Sequence, residues 1–129
     1  MRSLPITVLC IDDDDDDTEL FREAIGTVDS SCVCLTVSKA MDGLRILKNA
    51  IPDIIFLDIN MPMVDGRETL RRIRAISELS NIPVYMLSTT MDEDEFGSFR
   101  NVGATGCLSK PKTFHELCAM LHDVLGTLV

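Results

Sequence analysis

Residues 52–62 read PDIIFLDINMP. Ile54 to Leu57 form an unbroken apolar run, β-branched and aromatic in character, that starts behind a proline and stops at a carboxylate, Asp58. A run this short has the length of a strand rather than a helix, and its lack of polar alternation is what a strand covered on both faces requires. Comparable runs occur at Ile6 to Ile11, Cys32 to Val37, Val84 to Leu87 and Gly106 to Leu108. Between them the apolar residues switch to helical spacing. Leu20, Phe21, Ala24, Ile25 and Val28 make one stripe, and Leu44 with Leu47 a weaker second. Leu70, Ile73 and Ile76 make a third, and Phe114, Leu117, Leu121, Val124, Leu125 and Leu128 the last. A helix over Asp92 to Val102 has the thinnest stripe and is interrupted by Gly97. Thr113 and Glu116 have the spacing of a capping box for the final helix.

Strands alternating with helices predict an α/β fold, an open parallel sheet with helices on both faces, because parallel neighbours need a crossover that packs right-handed. In such sheets ligands bind beyond the carboxyl ends of the strands. The first strand meets Asp12 and Asp13 there, and the third meets Asp58. The fourth delivers the hydroxyls of Ser88 and Thr89, and the fifth delivers Lys110, followed by Pro111. Carboxylates that converge at neutral pH must be compensated, or one of them takes up a proton. A hard divalent cation is the usual compensation, and Mg²⁺ favours an octahedron of oxygens that leaves room for waters and a phosphate. Lys110 as a point charge and Ser88 as a donor suit the oxygens of a phosphoryl group.

Composition narrows the alternatives. The chain has 129 residues, 46% of them hydrophobic, which is enough for one domain with a core of normal size. No apolar run approaches the roughly 18 to 20 residues of a membrane span, and the opening MRSLPITVLCI lacks a signal-peptide cleavage pattern. The sequence is therefore read as a cytoplasmic protein with no membrane partner. Twelve basic against 21 acidic residues give a net charge of −9, which argues against direct contact with nucleic acid. Five irregularly spaced cysteines, with Cys32 and Cys34 as C-x-C on one strand face, are read as reduced thiols of the core. His115 and His122 on the last helix are read as surface or packing residues, and Met61 and Met63 as loop packing.

Taken together, the motifs resemble the receiver domain of bacterial two-component response regulators. The resemblance rests on the acids after the first strand, on DINMPMVDG from Asp58 to Gly66, on the hydroxyl after the fourth strand and on K-P after the fifth, and it covers essentially the full length. The spacing is suited to it as well, with 45 residues from Asp13 to Asp58 and 52 from Asp58 to Lys110. The resemblance implies a flavodoxin-like doubly wound (βα)5 fold with strand order 2-1-3-4-5. It implies a phosphoacceptor signalling protein, not an enzyme acting on a separate substrate, formed by one receiver domain over residues 1–129 with no output domain. Asp58 would accept a phosphoryl group from a sensor histidine kinase or a histidine phosphotransfer protein and pass the signal to a downstream protein. Asp13, Asp58 and the backbone carbonyl of Asn60 would bind Mg²⁺ directly, Asp12 mainly through water. Lys110 and Ser88, with Thr89 beside them, would attend the phosphoryl oxygens, and the Lys110–Pro111 peptide would be cis. The sequence departs from the family in placing Cys107 and Leu108 where an aromatic usually precedes the lysine, and KPKTF where K-P-F is common. Movement of the backbone around Ser88 to Asp92 is the switch this leaves, with Cys107 near-passive.

Two rival functions use the row of six aspartates, Asp12 to Asp17. Asp12, Asp14, Asp16 and Glu23 fall on EF-hand positions, but Asp17 stands where that loop needs glycine and a strand-like segment precedes it. Asp14 to Thr18 spells D-x-D-x-T, as in phosphohydrolases of the haloacid dehalogenase type, two residues beyond the expected strand end. A receiver that acts without phosphorylation is the third alternative. The reading adopted gives Asp12 and Asp13 to the metal and leaves Asp14 to Asp17 to the loop and helix start, where carboxylates cap free N–H groups and favour the dipole.

Overall fold

In the computed structural model, which describes residues 5–62, 64–90 and 92–128, the apolar runs become five parallel strands. They are β1 (Thr7–Ile11), β2 (Val33–Val37), β3 (Ile54–Asp58), β4 (Val84–Ser88) and β5 (Gly106–Ser109). The intervening helices are α1 (Asp15–Val28), α2 (Ala40–Leu47), α3 (Gly66–Arg74), α4 (Glu93–Val102) and α5 (Phe114–Gly126). Strand order is 2-1-3-4-5, the flavodoxin-like arrangement expected. No helix among the described residues is long and apolar enough to cross a membrane.

The strand alternation sorts the core into two layers. Leu9, Ile11, Ile55, Leu57, Val84 and Met86 face α2, α3 and α4, burying Leu44, Leu70, Ile73 and Phe99 with them. Val8, Cys10, Ile54, Phe56 and Leu87 face the opposite side, against Phe21, Ala24 and Ile25 of α1 and Leu121, Val124 and Leu125 of α5. Phe21 meets Phe56 edge-on with ring centroids 5.0 Å apart, which fixes α1 over β3. Gly43 lets α2 lie close on β1, since a Cβ there would come within 2.6 Å of the Ile11 side chain.

Three local expectations are revised. Ile76, placed on the third helical stripe, lies beyond α3, which stops at Arg74; the chain continues through a 3-10 turn at Ser77–Leu79, and Leu79 completes the buried layer. The Arg74 guanidinium draws the turn in by donating to the carbonyls of Leu79 and Ile82 at 2.8 Å and of Gly103 at 2.9 Å. The thin stripe of α4 is nonetheless a firm anchor, because Phe96 and Phe99 are both buried. Burial on both faces holds for the inner strands only, for β2 is an edge strand that exposes Val33 and Leu35. Met61 is buried in the core as expected, whereas Met63 lies outside the described residues. The five cysteines are free, and burial pushes Cys10 well above its ordinary value and Cys32 and Cys34 up to about 11, so these thiols stay protonated. His115 and His122 are exposed.

Candidate functional site

Register decides which rim residues meet. Ile11 pairs with Leu57 across β1 and β3, so the next residue of one strand, Asp12, lies beside the next of the other, Asp58. Asp58 is the last residue of β3 rather than the first beyond it, paired with Leu87 of β4. By alternation Asp12 follows Cys10, Asp58 follows Phe56 and Lys110 follows Leu108, all on the α1 and α5 side of the sheet. Ser88 follows Met86 and belongs to the other side.

Asp12 and Asp58 are each only 2% exposed. Both are satisfied locally: Asp12 Oδ1 accepts from the Asp14 N–H at 3.0 Å, and Asp58 Oδ1 accepts from the Asn60 N–H at 2.9 Å. Their outward oxygens face Lys110, whose Nζ lies 3.0 Å from Asp12 Oδ2 and 3.5 Å from Asp58 Oδ2. Burial and the charge of Asp12 push the Asp58 carboxyl up to about 6, although the Asn60 N–H and the Lys110 charge pull the other way. Burial alone would lower Lys110, but hydrogen bonds to Asp17 and Asp12, together with the charges of Asp12 and Asp58, hold it well above its ordinary value.

Asp12, Asp13 and Asp58 each offer a carboxylate oxygen within 4.8 Å of the others. Three hard anionic donors at that spacing, one of them with its proton affinity raised by burial and by the charge of Asp12, fit a divalent cation and would be relieved by one. Ser88 is fully buried, and its hydroxyl oxygen accepts from the Thr90 N–H at 3.1 Å and lies 3.2 Å from the Thr90 hydroxyl. Thr89 is turned to Asn60 instead of the carboxylates. The Lys110–Pro111 peptide is trans, contrary to expectation, as are all described peptides; trans is the lower-energy isomer of an X-Pro bond.

The remaining aspartates divide by position on the first turn of α1. Asp14 is the N-cap and accepts from the Asp16 and Asp17 N–H groups at 3.0 and 3.1 Å. Asp16 and Glu23 lie within helix α1 and Asp14 caps it, so there is no EF-hand loop and the first Asp of D-x-D-x-T does not stand at a strand end. Asp17, by sequence only a helix-start residue, has its Oδ2 2.8 Å from Lys110 Nζ, the shortest of that ammonium's three ion pairs among the described residues. The signal was present in the spacing. Asp17 stands four residues before Phe21, so the face that docks on β3 carries Asp17 back to the rim.

The response regulator receiver domain model matches residues 8–122. The C4-dicarboxylate response regulator DctR of Bacillus subtilis, a probable one, is 32% identical over 104 residues, 81% of this chain and 45% of DctR, so the chain matches less than half of that relative's length. The phosphorylated cyanobacterial phytochrome response regulator RcpA superposes with a TM-score of 0.83 at 26% identity, over 93% of this chain and 91% of RcpA. The Mn²⁺-bound form of response regulator Rcp1 does so with a TM-score of 0.79 at 25% identity, over 93% of this chain and 91% of Rcp1. With the sheet order, the acidic rim and the lysine in place, these matches give one result: the chain belongs to the response regulator receiver domain family.

Proposed function

We propose that Asp58 is the phosphoacceptor of this receiver and that the cation it uses is Mg²⁺. The observation that carries the reading is the position of Asp58, buried at the end of a central strand with Asp12 beside it and the Lys110 ammonium 3.5 Å away. The donor is a phosphohistidine of a sensor histidine kinase or a histidine phosphotransfer protein. An Asp58 carboxylate oxygen attacks phosphorus in line, a P–O bond forms as the P–N bond breaks, and the imidazole leaves with the electron pair. Asp12, Asp13, Asp58 and the Asn60 backbone carbonyl would hold the cation, which supplies charge neutralisation for the phosphoryl oxygens. Lys110 would move from its carboxylate partners to one phosphoryl oxygen, and Ser88 would give up Thr90 to reach another. The receiver domain over residues 8–122 passes the signal to a downstream partner and does not act as an enzyme with a separate substrate.

Incubation with Mg²⁺ and acetyl phosphate, followed by mass spectrometry, tests this. One added phosphate on Asp58, base-labile and lost in Asp58→Asn, is expected. Steady turnover of a phosphate ester would favour a phosphohydrolase, and a chain that stays unmodified would favour a receiver working without phosphorylation.

A further inference from the structure

We infer that Asp17 is a positioning residue for Lys110, one that shares the ammonium with Asp12 and so loosens its hold on the Asp12 and Asp58 oxygens that the cation would take. The inference rests on the metal-assisted reading above. Lys110 Nζ stands 2.8 Å from Asp17, 3.0 Å from Asp12 and 3.5 Å from Asp58. Asp17 is outside the set of carboxylates that converge for a metal, and its side chain is 40% exposed where that of Lys110 is 17% exposed. It is the most solvent-exposed of the three carboxylates that meet the ammonium. An ammonium and a divalent cation compete for the same two carboxylates, and at separations of a few ångströms they also repel each other. A third carboxylate that shares the ammonium weakens both effects.

Phe21 fixes the geometry. Its ring on Phe56 holds α1 against β3, and Asp17 lies one turn earlier on that face. Asp16, one residue away, has the same charge and almost the same distance along the chain, but stays exposed. It is a natural control for the field of a carboxylate that lacks the lysine contact.

Titration calorimetry of the whole chain with MgCl₂ tests the inference in wild type, Asp17→Asn, Asp16→Asn, Lys110→Ala and the Asp17→Asn/Lys110→Ala double variant. If Asp17 acts through Lys110, Asp17→Asn weakens Mg²⁺ binding on the order of three- to tenfold, and the same change on the Lys110→Ala background shifts it less than about twofold. Asp16→Asn is expected to stay within about twofold of wild type. Equal losses in both backgrounds, an equal loss in Asp16→Asn, or no loss in Asp17→Asn would overturn the inference while leaving the phosphoacceptor reading intact. Absence of Mg²⁺ binding by the wild-type chain would overturn both.

Discussion

The side-chain oxygen of Asn60 accepts a hydrogen bond from the Thr89 N–H at 2.9 Å, with the Thr89 hydroxyl 3.3 Å away, so the loop after β3 is tied directly to the loop after β4. Next to this tie, Ser88 is held by Thr90. A phosphoryl group on Asp58 would compete for both contacts. It adds charge and strong acceptors beside two loops tied to each other through the one Asn60 side-chain oxygen. It can shift the chain only by interacting differently with two conformations.

Hydrogen exchange with and without beryllofluoride should therefore show altered protection at Thr89, Thr90 and the first turn of α4. Phe96 and Phe99 in the core, and the Arg67 Nε that donates to Ser98 at 2.8 Å, should keep the rest of α4 nearly unchanged. Changes confined to the loop after Asp58, with residues 88–102 unaltered, would defeat this mechanism. Asn60→Ala should speed exchange at the Thr89 amide even without beryllofluoride.

Asp13→Ala is expected to weaken Mg²⁺ binding on the order of tenfold or more, and Asp16→Ala by less than about twofold. Asp13 converges with Asp12 and Asp58, while Asp16 faces solvent one turn along. Calorimetric titration distinguishes them, and equal effects would mean that Asp13 is not a ligand of the cation.

The stability of the metal-free protein should carry the mark of Asp58. Its carboxyl is raised from 3.8 to about 6 in the fold, so between those values the native state holds a proton that the unfolded chain has lost. The stabilisation is complete below about pH 4 and disappears as pH rises through about 6. Asp58→Asn should remove this dependence and leave the metal-free variant more stable than wild type by up to about 3 kcal/mol at neutral pH. Urea unfolding of both proteins across pH 4–8 measures the difference, and saturating Mg²⁺ should reduce it. No stability gain in the metal-free variant would show that the Asp58 charge is already compensated in the fold.

Arg74→Ala should destabilise the protein by about 2–3 kcal/mol in urea unfolding, because the carbonyls of Leu79, Ile82 and Gly103 lose one shared donor group. Arg74→Lys should recover only part of that, since a single ammonium lacks the planar fork that spans three carbonyls. An effect below about 0.5 kcal/mol would mean that water replaces the guanidinium without cost.

What the sequence determined by itself was the α/β class, the order of strands and helices, and the acidic and basic residues at the strand ends. These are local matters: the run Ile54 to Leu57 reads as a covered strand and Phe114 to Leu128 as a helix because the period of burial is written along the chain. The residues at the strand ends then gather on one rim by the geometry of any parallel sheet. Which rim atoms touch was a different matter. Whether Lys110 meets Asp17 or Asp58, and whether Ser88 faces the carboxylates or Thr90, depends on strand register and on how α1 is rotated over β3 by Phe21 against Phe56. Ile76 left the helical stripe for a similar reason, as the carbonyls of Leu79 and Ile82 just beyond α3 and that of the distant Gly103 gathered on Arg74. Such contacts are made between segments that are separate in sequence, so a pattern within one segment holds the candidates, and only packing chooses the pair.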